Sequence, residues 1–183
     1  MLKANFITAQ EAAEKIQDGS TLCTIGMTLV SASESILKAI EKRFETVGHP
    51  ADITLVHSCG QSDRKDGIQH LAHEGLVKRI VGSHWGLQPR WMEMIANSQV
   101  EAYCLPQGQI AQLYRSMACG LPGKMSKVGL GTFIDPRVEG GKMNGRTKPL
   151  PDIVDILEYG GEEYMFYKEI PLDTVLIRGT VCD

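Results

Sequence analysis

Residues Thr21–His57 read TLCTIGMTLVSASESILKAIEKRFETVGHPADITLVH, and the order of patterns inside them decides the fold. TLCTI (Thr21–Ile25) has strand character, and ITLVH (Ile53–His57) is a continuous apolar run of the kind found in strands buried on both faces. Between them Ile36, Leu37, Ile40 and Phe44 recur at helical spacing. Ser31 and Glu34 supply a capping-box pattern near a helix start at Ser33, and Gly48-His49-Pro50 supplies the stop. Strand, helix and strand in that order point to a parallel pair joined by a helical crossover.

Working outward, the alternation continues. Thr8 and Glu11 form a second capping-box pattern, followed by Ala9, Ala12, Ala13 and Ile16 at helical spacing and a stop at Asp18-Gly19. Gly75–Val81 contains a third strand and Val100–Leu105 a fourth. Between those two, Pro89–Ala96 reads as a short helix with Trp91, Met92 and Ile95 inward. Ile110, Leu113, Tyr114 and Met117 mark the next helix. The texture then changes: Gly120–Pro151 is rich in Gly, Pro and Lys with little periodicity, a loop longer than compact domains carry without a use for it. Three late strands follow, Ile153–Leu157, Tyr164–Tyr167 and Thr174–Arg178. The expectation is an α/β fold, an open, mainly parallel sheet flanked by helices, with a glycine-rich loop region and late β-strands. One domain over residues 1–183 accommodates all of it. The chain ends just after TVLIRG, read as a core strand, which suggests a domain completed by further polypeptide.

Bulk properties exclude several classes. A net charge of -3 gives no basic field for nucleic acid. No apolar run approaches the ~20 residues of a membrane span, and the N-terminus has no signal-peptide core. The 5 cysteines lie far apart without a CxxC pair, which fits reduced thiols and a cytoplasmic location rather than a disulfide or zinc framework.

The segment richest in possible chemistry is Val128–Asn144, VGLGTFIDPRVEGGKMN. Gly129 and Gly131 let the backbone take positive φ and come close to a ligand, and successive amides there can form an anion nest. Thr132 adds a hydroxyl, while Asp135 and Arg137 can pair across Pro136 to brace the turn. A lone GxG more often belongs to a merely structural loop, and it is the whole seventeen-residue string that favours a site. Gly60-Gln61 follows the Ile53 strand, in the kind of end loop where open α/β sheets place ligands.

The whole string resembles the glycine-rich segment of the CoA-transferases that act through an enzyme-bound glutamate, in particular their single-chain acetate/propionate branch. Other segments agree in order. Asp18-Gly19, a strand and Gly26 resemble the amino-terminal signature. His73–Pro89 (HEGLVKRIVGSHWGLQP) resembles an HEG…GHWG segment, and Pro106-Gln107-Gly108 a PQG motif. Gly161–Tyr167 and Ile177–Asp183 resemble the segments that close the amino-terminal, or α, half of these enzymes.

That resemblance implies a two-part enzyme whose β half carries the glutamate. It implies no tightly bound cofactor, with coenzyme A entering as acyl-CoA substrate, and a free carboxylate as acceptor. Transferred by position, Gln107 and Gly108 lie by the bound acid, Gly26 and Met27 near the acyl group, and Gly129, Gly131 and Thr132 across the pocket, with Gln61 as a further candidate. No glutamate motif of the β half occurs: Glu74-Gly75 matches an α-half position and Glu139-Gly140 lies in the glycine-rich loop. The chain alone is therefore expected to be inactive and to associate with a β half, as a homo- or hetero-oligomer. It departs from the family pattern where GGF reads Ile25-Gly26-Met27 and GxP reads Ser31-Ala32-Ser33.

Two other readings stay open. One is a sugar-phosphate isomerase or ligand-sensing domain, which shares this fold class; the other is a non-catalytic, divergent module that pairs with a partner. His70 and His73 have metal-compatible spacing, but no carboxylate or cysteine close in sequence completes a set, so they are read as structural. His84 and Cys59 are read in the same way.

Overall fold

The computed structural model describes residues 4–180. Helix α1 (Ala9–Glu14) opens with the expected capping box: the Glu11 amide donates to Thr8 Oγ1 at 3.2 Å and the Thr8 amide to Glu11 Oε2 at 2.7 Å. Then come β1 (Thr21–Thr24), α2 (Glu34–Val47), β2 (Ile53–His57), a 3-10 turn at Gly67–Leu71, β3 (Val77–Gly82), α3 (Pro89–Ala96), β4 (Glu101–Cys104) and α4 (Gln107–Ala118). The chain finishes with β5 (Gly123–Ser126), β6 (Val154–Tyr159), β7 (Glu162–Lys168) and β8 (Thr174–Leu176).

Five strands form a parallel sheet in the order β4-β3-β2-β1-β8, and β5-β7-β6 form a separate antiparallel sheet. Because side chains alternate along a strand, the parallel sheet sorts its residues onto two faces. Leu22, Leu55, Ile80 and Ala102 lie side by side on one face and pack against α1, α2 and α3 through Ala13, Leu37, Ile40, Trp91 and Ile95. Cys23, Val56, Val81 and Tyr103 lie on the other, against α4 and the antiparallel sheet through Ile110, Leu113, Met165 and Tyr167. One face is thus covered by helices; a helix and a small sheet share the second.

Several expectations need correction. Ser31 and Glu34 form no capping box. Ser33 is the residue that precedes α2, without a side-chain cap bond, and Glu34 instead accepts the Gly67 amide at 2.9 Å. In α3 the inward residues are Trp91, Met94 and Ile95, whereas Met92 is 52% exposed, because residues three and four apart share a helix face. The glycine-rich stretch is interrupted by β5, whose partner β7 lies far along the chain. Strand β8 is an edge strand, with Val175 41% and Ile177 69% exposed, so the final apolar run is only partly core. Residues Val181–Asp183, with the end of the family-like closing segment and Cys182, lie outside the described residues. Among the described residues no helix is long and apolar enough to cross a membrane.

Candidate functional site

The parallel sheet ends on a change of polarity. One residue pair beyond Leu22–Leu55–Ile80–Ala102, on the same face, stand Thr24, His57, Gly82 and Cys104. An apolar core row gives way to polar and small residues where all the strands present their carboxyl ends, the position at which open α/β folds bind ligands. A Cβ at Gly82 would overlap the His57 ring, and one at Gly60 would overlap the Gln88 amide, so two glycines admit two polar side chains here. His57 and Gln88 are fully buried, and among the described residues no well-formed hydrogen bond reaches either His57 nitrogen, either Gln88 amide atom or Trp85 Nε1. His57 and Trp85 meet edge to face with ring centroids 6.0 Å apart. Burial pulls the His57 pKa down to about 4, so the ring is neutral near pH 7. Burial also pushes the Cys104 thiol up to about 11, which makes it a poor nucleophile.

The expected site residues fall into separate groups. Gly26 and Gln61 come together at the ends of β1 and β2. Gln61 is 1% exposed, accepts from Thr24 Oγ1 at 2.6 Å, and donates to the Thr24 carbonyl at 3.0 Å and the Gly26 carbonyl at 3.4 Å. Its amide therefore holds the β1–α2 loop in place and has little capacity left for a ligand. Met27 leads that loop outward, 59% exposed, and pairs its backbone with Val30 at 3.0 and 2.9 Å. Gln107 and Gly108 begin α4 and are exposed; they stand three strands from Gly26, about 14 Å along the edge at normal strand spacing.

Gly129, Gly131 and Thr132 belong to a loop that spends its donors internally. The Gly131 amide donates to Asp135 Oδ2 at 2.9 Å, and the Thr132 amide and hydroxyl donate to the Gly129 carbonyl at 3.1 and 2.8 Å. Asp135, 1% exposed, also accepts from the Arg137 amide at 3.0 Å and from its guanidinium at 2.8 and 3.0 Å. Arg137 continues to Glu163 at 2.9 Å. The Arg137 guanidinium, then the Gly131 and Arg137 amides, hold the Asp135 carboxyl well below the usual carboxylate range. The anion in this nest is thus a carboxylate of the loop itself. Among the described residues no hydrogen bond joins Gly129–Thr132 to Gln107, Gly26 or Gln61. What reaches the β4 end is the second turn, where the Gly141 carbonyl accepts the Cys104 amide at 2.7 Å.

A cleft of about 540 Å³ opens beside the same edge, between the β1–α2 loop and the end of β8. Leu29, Ser33, Glu34, Asp66, Ile177 and Arg178 are among its lining residues. Around it Ile25, Met27, Val30 and Ile177 are exposed at 38, 59, 66 and 69%, an apolar rim at the mouth of the edge.

The sequence reading passed over His57, Trp85 and Gln88, and also the carboxylates that surround His70. A period-2 count along ITLVH would have found the first, since His57 shares the face of Ile53 and Leu55. Nothing local signals the second: Glu34 and Glu41 reach His70 across 36 and 29 residues of chain.

Comparison with known proteins agrees with this architecture. The sequence model of the family described as Coenzyme A transferase matches residues 6–183. A caffeate CoA-transferase of Acetobacterium woodii is 42% identical over 181 residues, 98% of this chain and 34% of that protein. An acetate CoA-transferase subunit alpha of Escherichia coli is 24% identical over 182 residues, 73% of that subunit. A crystal structure of an acyl-CoA transferase of E. coli O157:H7 (YdiF), in a thioester complex with CoA, superposes with a TM-score of 0.89 at 36% identity, over 95% of this chain and 34% of that one. The chain spans about a third of the length of the caffeate and E. coli O157:H7 enzymes.

Proposed function

Because the chain belongs to the coenzyme A transferase family, we propose that it forms the α part of an enzyme that moves CoA between an acyl-CoA and a free, acetate- or propionate-like carboxylate. The nucleophile is a glutamate outside these residues. Its carboxylate attacks the thioester carbonyl, the C–S bond breaks, and an acyl-glutamyl anhydride forms with loss of CoA thiolate. The thiolate then attacks the glutamyl carbonyl and expels the donor acid as its carboxylate, leaving a glutamyl-CoA thioester. An acceptor carboxylate reverses both steps.

The observation that carries this reading is one of extent. The match runs through 98% of this chain but only 34% of a caffeate CoA-transferase, while the alpha subunit of an acetate CoA-transferase is covered to 73%. The apolar rim of Ile25, Met27, Val30 and Ile177 suits burial against the part that bears the glutamate. In this arrangement the β1–α2 loop borders the acyl group, and the Asp135-braced loop is a rigid wall that helps to exclude water. Gln107, exposed at the start of α4, is the side chain freest to donate to a substrate carboxylate or thioester oxygen.

The test is reconstitution. This chain, the β part, both together and neither are given acetyl-CoA and propionate. Propionyl-CoA, and a glutamyl thioester cleaved by hydroxylamine, are expected only from the mixture; robust transfer by this chain alone would falsify the proposal. A second reading, a non-catalytic module of the same fold, is favoured by the altered loop, where Thr28 and Ser31 take positive φ without being glycine. It predicts a stable complex of the two parts with no trapped thioester.

A further inference from the structure

Between Met27 and Ala32 the β1–α2 loop has no hydrogen bond to the body of the fold: among the described residues this stretch bonds only within itself. Its place is therefore set where it leaves β1 and where it enters α2. At the first end Gln61 accepts from Thr24 Oγ1 at 2.6 Å and donates to the Thr24 and Gly26 carbonyls at 3.0 and 3.4 Å. At the second end Glu34, the first residue of α2, accepts the Gly67 amide at 2.9 Å and meets His70 Nε2 at 2.8 Å. Lys38 ties Glu34 to Asp66, at 3.1 and 3.3 Å. Both anchors come from one stretch of chain, residues 61–70.

That stretch holds its two anchors at a fixed separation. Ser62 Oγ accepts the Arg64 amide, and Asp63 Oδ1 accepts the Lys65 and Asp66 amides, each at 3.0 Å. Gln69 Nε2 donates to the Arg64 carbonyl at 3.0 Å. The Ile68 amide returns to the Gln61 carbonyl at 2.8 Å and closes the segment on itself. Gly67 (φ 75°) permits the closure, since a Cβ there would overlap the Gln61 carbonyl oxygen. Helix α3 pins the closed segment from behind: Trp91 Nε1 donates to the Ile68 carbonyl at 2.8 Å, and Arg90 to the Gln69 carbonyl at 3.1 Å.

We propose that residues 61–70 are a strap that positions the β1–α2 loop from both ends, with Gln61 and Glu34 as positioning residues, and that the strap thereby sets which acyl chains the transferase accepts. The effect on acyl chains rests on the function proposed above, in which this loop borders the acyl group; the two-ended anchorage does not. The cleft of about 540 Å³ is lined by Leu29 and Ala32 of the loop and by Asp66 of the strap, so its width follows their separation. A loop fixed at both ends pays its closure entropy in folding and presents a wall of defined place. Freed at either end, that wall can yield, and a pocket that yields discriminates poorly between short and long chains.

The anchorage is tested on the chain by itself, by amide hydrogen exchange at Met27 and Val30, whose mutual bonds report closure of the loop. Gln61→Met, which keeps the length of the side chain but not its amide, and Glu34→Ala should each speed that exchange about tenfold. Glu34→Gln keeps an acceptor for the Gly67 amide and should restore most of the protection. Gln61→Met and Glu34→Ala combined should speed exchange by less than the product of their separate effects, because a loop freed at one end gains little from release at the other. Exchange at the β2 amides separates local release from general unfolding.

Selectivity is tested in the mixture with the β part, as the ratio of kcat/KM for propionate to that for hexanoate as acceptor. Gln61→Met and Glu34→Ala should each lower the ratio about fivefold or more. Thr147→Val removes a buried hydroxyl that accepts the Ala102 amide at 2.8 Å, at the β4 edge of the sheet. It should lower stability and leave the ratio unchanged. Unaltered exchange at Met27 and Val30 in folded Gln61→Met or Glu34→Ala, or separate effects that multiply in full, overturns the strap. Faster exchange with an unaltered ratio in an active mixture overturns its part in selectivity. A parent mixture without transfer counts against the proposed function and removes the effect on acyl chains with it, while exchange still decides the strap.

Discussion

Residues 25–33 and residues 128–144 both turn sharply, and they do so by opposite means. In the second loop the positive φ angles fall on Gly129, Gly131, Gly140 and Gly141, and the polar groups end on Asp135 and Arg137. In the first, Thr28 (φ 53°) and Ser31 (φ 63°) occupy the left-handed region beside Gly26, and Met27 and Val30 point into solvent. The glycine-rich loop is finished internally; the other carries strain and uncovered apolar surface that a partner can relieve. The loop whose sequence looked most like a ligand cradle is thus the better brace, and the one that departs from the family pattern is the more open.

The largest effect should come from removing the brace. Asp135→Ala leaves two amides and a guanidinium without their acceptor around a buried position, and should lower the unfolding free energy by about 3–4 kcal/mol in urea titration. Asp135→Asn, which keeps one acceptor oxygen, should cost less. Val30→Ser in the other loop should leave the isolated chain within about 0.5 kcal/mol of the parent, as exposed positions do. It should nevertheless weaken association with a β part. Equal costs for Asp135→Ala and Val30→Ser would erase the distinction. Acid should act in the same direction as Asp135→Ala: the Asp135 pKa is depressed in the fold, so its contribution is complete above about 3.9 and is lost as pH falls below that.

The bed beneath the open loop has a different acid signature. His57 is buried neutral with its pKa pulled down to about 4, so the unfolded chain binds a proton that the folded chain refuses. Stability should therefore fall as pH drops from about 6.5 to about 4, by about 3 kcal/mol at most. In His57→Leu that limb should flatten while the Asp135 limb at lower pH persists. A parent protein whose stability is level across this window would show that His57 is solvated. His70 runs the other way. Burial lowers its pKa, but Glu41 and Glu34 outweigh burial and raise it, so its contribution is present at low pH and is lost as pH rises through the folded value.

Much of the architecture was legible because it rests on local pattern. TLCT and ITLVH are strands whichever neighbour they find, and Leu37 and Ile40 mark the buried stripe of α2. What sequence hid was long-range. Strand β5, GKMS, has no alternation and exists because β7 pairs with it; the capping role read into Glu34 was displaced by Gly67 and His70, more than thirty residues away. The candidate site was legible by place rather than by role. Gln61 and Gly131 lie in the loops where they were expected, yet each is already bonded, to Thr24 and to Asp135. Residue type shows capacity to donate, whereas only the fold shows which capacity is spent.

Two glycines test the geometry at intermediate size. A Cβ at Gly26 (φ 151°) would stand 2.8 Å from the Val30 carbonyl oxygen, and one at Gly129 (φ 100°) 2.7 Å from Tyr167 Oη. The first obstacle is backbone of a turn closed by the Met27–Val30 pair, and the second is a hydroxyl that holds the Val128 carbonyl at 2.6 Å. Gly26→Ala and Gly129→Ala should each cost about 2 kcal/mol. Only Gly26→Ala should also impair the reconstituted transferase beyond what its lost stability explains. Equal loss of activity in both would place both loops against the substrate.

The smallest effect carries the sharpest sign. Ser31 holds a left-handed conformation at the position where the family pattern has glycine, and Gly131 holds nearly the same conformation (φ 68°) with nothing within 4 Å of an added Cβ. A side chain in that region costs about 1–2 kcal/mol, and glycine gives back about 0.5–1 kcal/mol through the freedom of its unfolded chain. Ser31→Gly should accordingly raise stability by about 0.5 kcal/mol, or a melting temperature by about 1–2 °C for a chain of this length, and Gly131→Ala should lower it by a similar amount. Neither substitution changes a buried contact, so opposite signs can arise only from backbone conformation. A shift of the same sign in both would mean that Ser31 is not strained, and the contrast between the two loops would then rest on Asp135 alone.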